Sequence, residues 1–297
     1  MVRDIKKIAV IGSGFMGSGI ALVSARSGYL VYLMDVNAEA LGSAVTKIQN
    51  RSIDLDNGDQ ARTQDTMKRL VTSTSLEEAT KDVDLVIEAV AERLEVKQKL
   101  FKQLDALCPS ETILASNTSA LTIAEIVSGV SDPRKLRCGG VHFLSPVSTS
   151  NLVEVIPISQ TSTATLESLM AFVQAIGKQS IKCKDTSGFI VNRIVLLPVF
   201  AQALQMLDRG DATLDDIELG VKPIAFSSMG VFGLMDFIGL DVVLCGMENM
   251  SERFPETGDC FKPTRRLREL VAEGKLGLKT GEGFLKYDEA ARAQYTI

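Results

Sequence analysis

An α/β protein is predicted: a mainly parallel sheet domain over residues 1–186, followed by an all-helical C-terminal domain over 187–297. Three observations predict it. An apolar run, Ile8 to Ile11, passes directly into Gly12, Gly14 and Gly17, after which the apolar spacing becomes helical as far as Gly28. Short buried strands then alternate with amphipathic helices as far as Gln179–Cys183, the pattern of a parallel sheet covered on both faces. From Ser187 onward only helical patterns follow, which sets a boundary within 185–188.

The first stretch carries the most chemistry. Gly12 permits a sharp turn out of the strand, Gly14 removes a side chain where a pyrophosphate would approach the backbone, and Gly17 lets the helix lie close on the sheet. The helix N-terminus then offers unpaired N–H groups and a positive dipole end to phosphate. A second apolar run, Leu30 to Met34, stops at Asp35, whose carboxylate can bind both ribose hydroxyls and would repel a 2′-phosphate. A lone glycine turn serves packing as readily as binding. Strand, helix, second strand and terminal acid together read as a Rossmann-type site for NAD in preference to NADP.

Next, Asn37 is placed to cap a helix on which Leu41, Ala44, Val45 and Ile48 share a face. A polar stretch from Arg51 to Asp65 follows, and Met67 to Val71 reads as the start of a return helix. This charged helical excursion is longer than most connections in a compact domain and implies a task beyond linking strands. Leu85–Val90 and Thr112–Ser116 are further buried strands, separated by a helix bearing Val96, Leu100, Leu104 and Leu107. Ligands collect at the carboxyl ends of such strands, and Glu88, Glu92, Asn117 and Ser119 sit at or just past them. Cys138–Phe143 and Leu152–Ile156 are two more strands, Thr165–Ile176 is a helix, and Gln179–Cys183 is a last short strand. The helical half contains Phe189–Arg209, Leu214–Leu219, Phe232–Ile238, a helix from Asp241, and Arg265–Glu273.

Composition excludes several classes. With 297 residues, 45% of them hydrophobic, the chain has ample material for a core. A net charge of −5 advertises neither nucleic acid nor an anionic membrane. The five cysteines show no ligand spacing, which suits reduced thiols and implies neither disulfides nor a metal. MVRDIKKIAV contains no signal or transit pattern, so a cytoplasmic location is expected. The run from Phe189 to Leu207 approaches membrane-spanning length, but Asn192, Arg193, Pro198, Gln202 and Gln205 interrupt it, and a buried helix is expected instead.

The one histidine, His142, ends a strand in VHFLSP, and the next strand carries Glu154 after Leu152 and Val153. A carboxylate on the far imidazole nitrogen would select the tautomer and stabilise the charged ring, as an acid–base pair requires. Read alone, a histidine at a strand end is more often structural.

The fingerprint, EAVAERLEVK, SNTSAL, VHFLSPV, LVEVI, KDTSGFIVNR and KTGEGFLKY occur in the order seen in the 3-hydroxyacyl-CoA dehydrogenase family, which the chain resembles over nearly its whole length. The resemblance implies an N-terminal domain that binds NAD, a helical C-terminal domain that forms a homodimer, and substrate held between them, with CoA gripped by the excursion after the second strand. It implies that His142 takes the proton of the 3-hydroxyl, Glu154 orients and charges it, Ser119 holds the substrate oxygen, and Asn192 stabilises developing charge. Glu92, Lys97 and Lys279 match cofactor-associated positions, although a lysine taken alone is a solvated charge. Asn117 and Ser145 stand on the cofactor side. Ser145 replaces a usual Asn, Ala120 a usual Ser, and Ser187 a usual Pro, while MGVFGL stands where the family reads MGPFEL. These departures bear on acyl chain and carrier more than on the reaction.

The expected activity is therefore oxidation of a short-chain 3-hydroxyacyl-CoA in fatty acid metabolism, or its reverse. The same chemistry on an acyl carrier protein or a free hydroxy acid is a second reading, and a non-catalytic nucleotide-binding protein a third. The apolar residues Ile190, Leu196, Leu197, Phe200 and Leu204 exceed what a small helical domain buries against itself, in keeping with a dimer. If the excursion meets CoA phosphates, Lys47, Arg51, Arg62, Lys68 and Arg69 are the candidates. Their alternation with Asp54, Asp56, Asp59 and Asp65 equally describes a solvated face.

Overall fold

The computed structural model describes residues 3–222 and 229–290; the other residues of the 1–186 and 187–297 spans lie outside the described ones. The chain divides into two compact units between Thr186 and Ser187.

The first unit is built on an eight-stranded sheet: β1 (Lys7–Ile11), β2 (Leu30–Met34), β3 (Leu70–Ser73), β4 (Leu85–Glu88), β5 (Ile113–Ser116), β6 (Cys138–Phe143), β7 (Leu152–Pro157) and β8 (Gln179–Lys182), in the order β3-β2-β1-β4-β5-β6-β7-β8. From β3 to β6 every pairing is parallel. The connections are helical: α1 (Phe15–Arg26), α2 (Ala38–Leu55), α3 (Gln60–Lys68), α4 (Leu76–Thr80), α5 (Leu94–Leu107), α6 (Ile123–Ile126), α7 (Asp132–Lys135) and α8 (Thr163–Ala175). Between β6 and β7 the short link over 144–151 contains no helix, so the chain reverses and the pair is antiparallel. The α8 crossover then returns β8 parallel to β7. Residues of β4, β5 and β6 are all buried, which is why these strands show no regular alternation of apolar and polar side chains.

The excursion after β2 differs from its reading. Asn37 does cap α2, its side chain accepting from the amides of Glu39 and Ala40. However, α2 continues to Leu55 through part of the polar stretch, and a turn with Asn57 and Gly58 at positive φ leads into α3, which ends at Lys68. Met67–Val71 therefore spans the end of a helix and the start of β3. Hydrophobic periodicity misses α3 because the side chains it buries fully are Thr63 and Thr66. The short helices α4, α6 and α7 also escape a reading based on period.

The second unit contains α9 (Leu197–Arg209), α10 (Leu214–Val221), α11 (Val231–Ile238), α12 (Leu240–Arg253) and α13 (Arg265–Ala272), with a 3₁₀ segment at Pro255–Phe261. The expected helix from Phe189 begins later. Gly188 and Phe189 both have positive φ, and the first regular turns, Asn192–Leu196, are π-helical. Leu197, Phe200 and Leu204 join Phe232, Met235, Met247 and Leu267 in this unit's core. Buried Asp236 accepts from the amides of Phe284 (3.0 Å) and Leu285 (2.9 Å) and from the Tyr287 hydroxyl (3.0 Å), which fastens the GFLKY segment to α11.

Candidate active site

The glycine turn lies between β1 and α1. Gly12 has φ +103°, and a Cβ there would stand 2.5 Å from the Ala89 carbonyl oxygen; a Cβ on Gly17 would stand 1.8 Å from the Gly12 oxygen. Packing within the protein accounts for both glycines. It does not account for Gly14, where a Cβ would meet nothing within 4 Å. Gly14 caps α1 without a side-chain hydrogen bond, and no acidic residue occupies the first turn. The leading amides of α1 therefore present a positive, uncompensated end beside open space, as a pyrophosphate requires.

Asp35 is tied to this turn. Its Oδ2 accepts from the Ser13 amide at 2.8 Å and the Ser13 hydroxyl at 2.9 Å, while Oδ1 accepts from the Asn37 amide at 3.0 Å. Ser13, between the first two glycines, received no role from the sequence. The signal was available: a hydroxyl residue in a turn that passes the end of the second strand can bond the acid there. Anion-binding amides and a fixed carboxylate one strand away fit a dinucleotide with a free ribose diol.

A buried ionic cluster stands at the next strand end. Lys97 Nζ lies 2.5 Å from Glu88 Oε1 and 3.1 Å from Glu92 Oε2. Glu88 also accepts from the Ser116 hydroxyl at 2.5 Å and the Val90 amide at 2.8 Å. Glu92 Oε1 accepts from the Thr118 hydroxyl and from the amides of Ser119 (3.0 Å) and Ala120 (3.1 Å). Burial alone would raise the Glu92 pKa, but the Lys97 ammonium and these donors hold it below its ordinary value. Burial likewise opposes the charge on Lys97, and the two carboxylates override it, raising the pKa. Lys97 is thus no solvated surface charge. It joins β4, α5 and the SNTSAL segment, and so fixes the backbone that carries Ser119.

His142 and Glu154 are direct partners across β6 and β7, with 2.7 Å between Nδ1 and Oε2. The two side chains are 6% and 0% exposed. With Glu154 ionised the carboxylate only accepts, which would place the proton on Nδ1 and leave Nε2 as the basic nitrogen. Asn117 at the end of β5 accepts from the Phe143 amide at 2.8 Å through Oδ1, which holds the end of β6 in place. Past β8, the Cys183 thiol reaches Glu154 Oε1 at 3.5 Å, a contact the sequence did not disclose. Ser145, on the loop after β6, has a buried Oγ with no protein partner.

The first unit therefore places the glycine turn, Asp35, Glu92, Lys97, Asn117, Ser119 and His142 along the carboxyl ends of its parallel strands. Asn192, in the π-helical turn, and Lys279, paired with Asp241 at 2.5 Å, belong to the second unit.

A dinucleotide turn and a histidine–carboxylate pair on one sheet edge define an NAD-dependent oxidoreductase acting on a hydroxyl or carbonyl carbon. Sequence profiles described as 3-hydroxyacyl-CoA dehydrogenase, NAD binding domain, and 3-hydroxyacyl-CoA dehydrogenase, C-terminal domain, match residues 7–186 and 188–287. A probable 3-hydroxyacyl-CoA dehydrogenase of Caenorhabditis elegans is 40% identical over 96% of this chain and 97% of its own. The mitochondrial hydroxyacyl-coenzyme A dehydrogenase of Homo sapiens is 40% identical over 95% and 91%. The crystal structure of (S)-3-hydroxybutyryl-CoA dehydrogenase from Ralstonia eutropha superposes with a TM-score of 0.83 at 34% identity, covering 96% of this chain and 100% of that one. The chain belongs to the 3-hydroxyacyl-CoA dehydrogenase family, and it is an NAD-dependent enzyme of that activity.

Proposed function

We propose that the chain interconverts a short-chain 3-hydroxyacyl-CoA and its 3-oxoacyl-CoA, with His142 as the base. The observation that carries this reading is the buried pairing of His142 Nδ1 with Glu154 Oε2. Bound NAD supplies the hydride acceptor. His142 takes the 3-hydroxyl proton on Nε2, and the ionised Glu154 stabilises the resulting imidazolium. Ser119 holds the substrate oxygen, and Asn192 supports the charge that develops on it. Gly12, Gly14 and Gly17 admit the pyrophosphate, Asp35 binds the ribose, and Asn117, Ser145, Lys279 and the Glu92–Lys97 pair complete the cofactor side. Short chain length draws on the hydroxybutyryl substrate in the name of the Ralstonia eutropha enzyme.

Several observations support CoA as the carrier and a homodimer as the assembly. On α2 and α3, Lys47, Arg62 and Lys68 are exposed and available to the phosphates of a ligand. In the second unit Ile194 is 70% exposed and Leu219 72%, and Ile190, Val195 and Val242 are exposed to a lesser degree. Such apolar side chains suit burial against a second copy. Among the described residues no helix is long and apolar enough to cross a membrane. The reading keeps fatty acid metabolism in the cytoplasm, and cell fractionation distinguishes this from the mitochondrial location in the human relative's name.

The deciding experiment follows NADH oxidation with acetoacetyl-CoA beside free acetoacetate and acetoacetyl carrier protein. A kcat/KM far higher for the CoA ester is expected. A preference for the free acid or the carrier protein would replace this substrate reading, and no turnover with any would remove the enzymatic one.

A further inference from the structure

The dyad has a third member on the neighbouring segment. Cys183 follows β8 and is 3% exposed, and its thiol donates to Glu154 Oε1 at 3.5 Å while Oε2 meets His142. The position is held from both sides. The Cys183 amide donates to the Val155 carbonyl at 3.0 Å, and two residues on, Asp185 accepts from the amides of Ile123 (2.7 Å) and Ala124 (2.8 Å) at the start of α6. The thiol is thus placed by backbone pairing and by a clamp to the segment that follows Ser119.

Resting on the reading of His142 as the base, we propose that Cys183 is a positioning residue: its S–H fixes the Glu154 carboxylate with Oε2 toward the imidazole and tempers the negative charge that His142 feels. A carboxylate with a donor on each oxygen has one orientation, and a donor on Oε1 withdraws charge from Oε2. Burial, followed by the charge of Glu154, pushes the Cys183 thiol up to about 12. It therefore remains a protonated donor throughout the range in which imidazole titrates. Cys138, also pushed up to about 12 by burial, donates to the Arg134 carbonyl at 3.3 Å and serves no such carboxylate. The groups facing the thiol leave Glu154 as its charged partner. Lys182 and Lys184 are exposed, Asp185 is engaged by the α6 amides, Glu125 of α6 is engaged by Thr122, and β6 contributes His142.

The test compares Cys183→Ala and Cys183→Ser in the oxidation of 3-hydroxybutyryl-CoA, with NADH absorbance followed across the imidazole range. Loss of the donor leaves Glu154 more negative toward the ring, so Cys183→Ala should shift the acid limb of kcat/KM to higher pH. It should also lower kcat about 3–10-fold, the range expected for one modest hydrogen bond, with little change in either KM. Cys183→Ser, a stronger donor of similar shape, should recover most of kcat and return the limb to the wild-type position or below it. Wild-type profiles in both variants, or a serine variant that matches the alanine variant, would overturn the proposal. A His142→Gln control separates the two readings. Survival of the acid limb in that variant defeats the dyad itself, whereas a limb lost there but unmoved by both Cys183 substitutions defeats the positioning role.

Discussion

His142 and Glu154 stand opposite each other in the antiparallel β6–β7 pair, so strand register sets their 2.7 Å contact. A cross-strand pair at a fixed register leaves little freedom for either side chain. His142→Gln should keep NADH affinity, measured by fluorescence titration, and lose turnover by about 10²–10⁴-fold. Glu154→Gln keeps the shape but removes the charge that supports the imidazolium, so its kcat should fall as well. A near-normal rate in His142→Gln would rule the base out.

The Lys97 cluster predicts an effect on stability. Replacing Lys97 by Met leaves the buried Glu88 and the part-buried Glu92 without their cation, a change that costs up to about 3–5 kcal/mol in fully buried pairs. The folded pKa of Glu92 is lowered, so its contribution is fully present above the ordinary value of 4.5 and is lost as pH falls through the folded value. The raised pKa of Lys97 contributes below its ordinary value of 10.5 and is lost as pH rises through the folded value. In Lys97→Met, denaturant midpoints should fall at neutral pH and recover in part on acidification, as Glu92 loses the ammonium that holds its pKa down. An unchanged midpoint would mean that the cluster does not couple as its geometry indicates.

Cofactor choice should follow Asp35. The wild-type enzyme should favour NAD over NADP by at least about tenfold in kcat/KM, roughly 1.4 kcal/mol. Asp35→Ala should narrow that ratio, chiefly by raising KM for NAD. Because Ser13 holds Asp35 through both its amide and its hydroxyl, Ser13→Ala should move the ratio in the same direction by a smaller factor. Equal use of both cofactors by the wild-type chain would remove the assignment.

Legibility in the sequence tracked how local each constraint is. The bounds of β2 and β6, Leu30–Met34 and Cys138–Phe143, coincide with the strands read from the sequence, and both lie inside the sheet. At β3, where Val71 and Thr72 are exposed and Leu70 and Ser73 only half-buried, no apolar run marks the strand, and Met67–Val71 reads as helix. Motif order and the His–Glu spacing pointed to the dyad before any distance was known. The burial of Lys97 was not readable, since a lysine becomes a core residue only when carboxylates on separate elements converge on it. Nor was the Cys183 contact, which depends on β8 returning beside β7 through the α8 crossover.

The apolar residues named from sequence as evidence of a dimer are partly used within the subunit. Leu197, Phe200 and Leu204 belong to the second unit's own core. The exposed apolar side chains that predict association are Ile194 and Leu219, with Ile190 and Val242 less exposed. Light scattering at micromolar concentration should give the dimer mass. Leu219→Asp or Ile194→Asp should shift it toward monomer if those side chains lie in the interface, and a wild-type monomer would contradict the assembly.

The carrier prediction follows from how α2 and α3 spend their charges. Asp56 is buried against Arg26 at 2.7 Å, Asp59 caps α3 by accepting from the amides of Ala61 and Arg62, and Asp65 pairs with Arg69. Arg51 donates to the Ser148 hydroxyl at 3.1 Å. Two of the five candidate cations thus have protein partners, and Lys47, Arg62 and Lys68 remain exposed, as do the acidic Glu39 and Asp54 of α2. Lys47, Arg62 and Lys68 are the groups that would meet the phosphates of CoA. Acetoacetyl-CoA should therefore be a much better substrate than acetoacetyl-pantetheine. Neutralising Lys47, Arg62 or Lys68 should raise KM for the CoA ester with less effect on kcat, the pattern of lost remote binding. The same substitutions should leave the pantetheine ester unaffected, since it has no nucleotide to lose. Indifference of kcat/KM to the CoA nucleotide would defeat the clamp. If acyl carrier protein then proved the better substrate, these cations would be read as a surface for its acidic face.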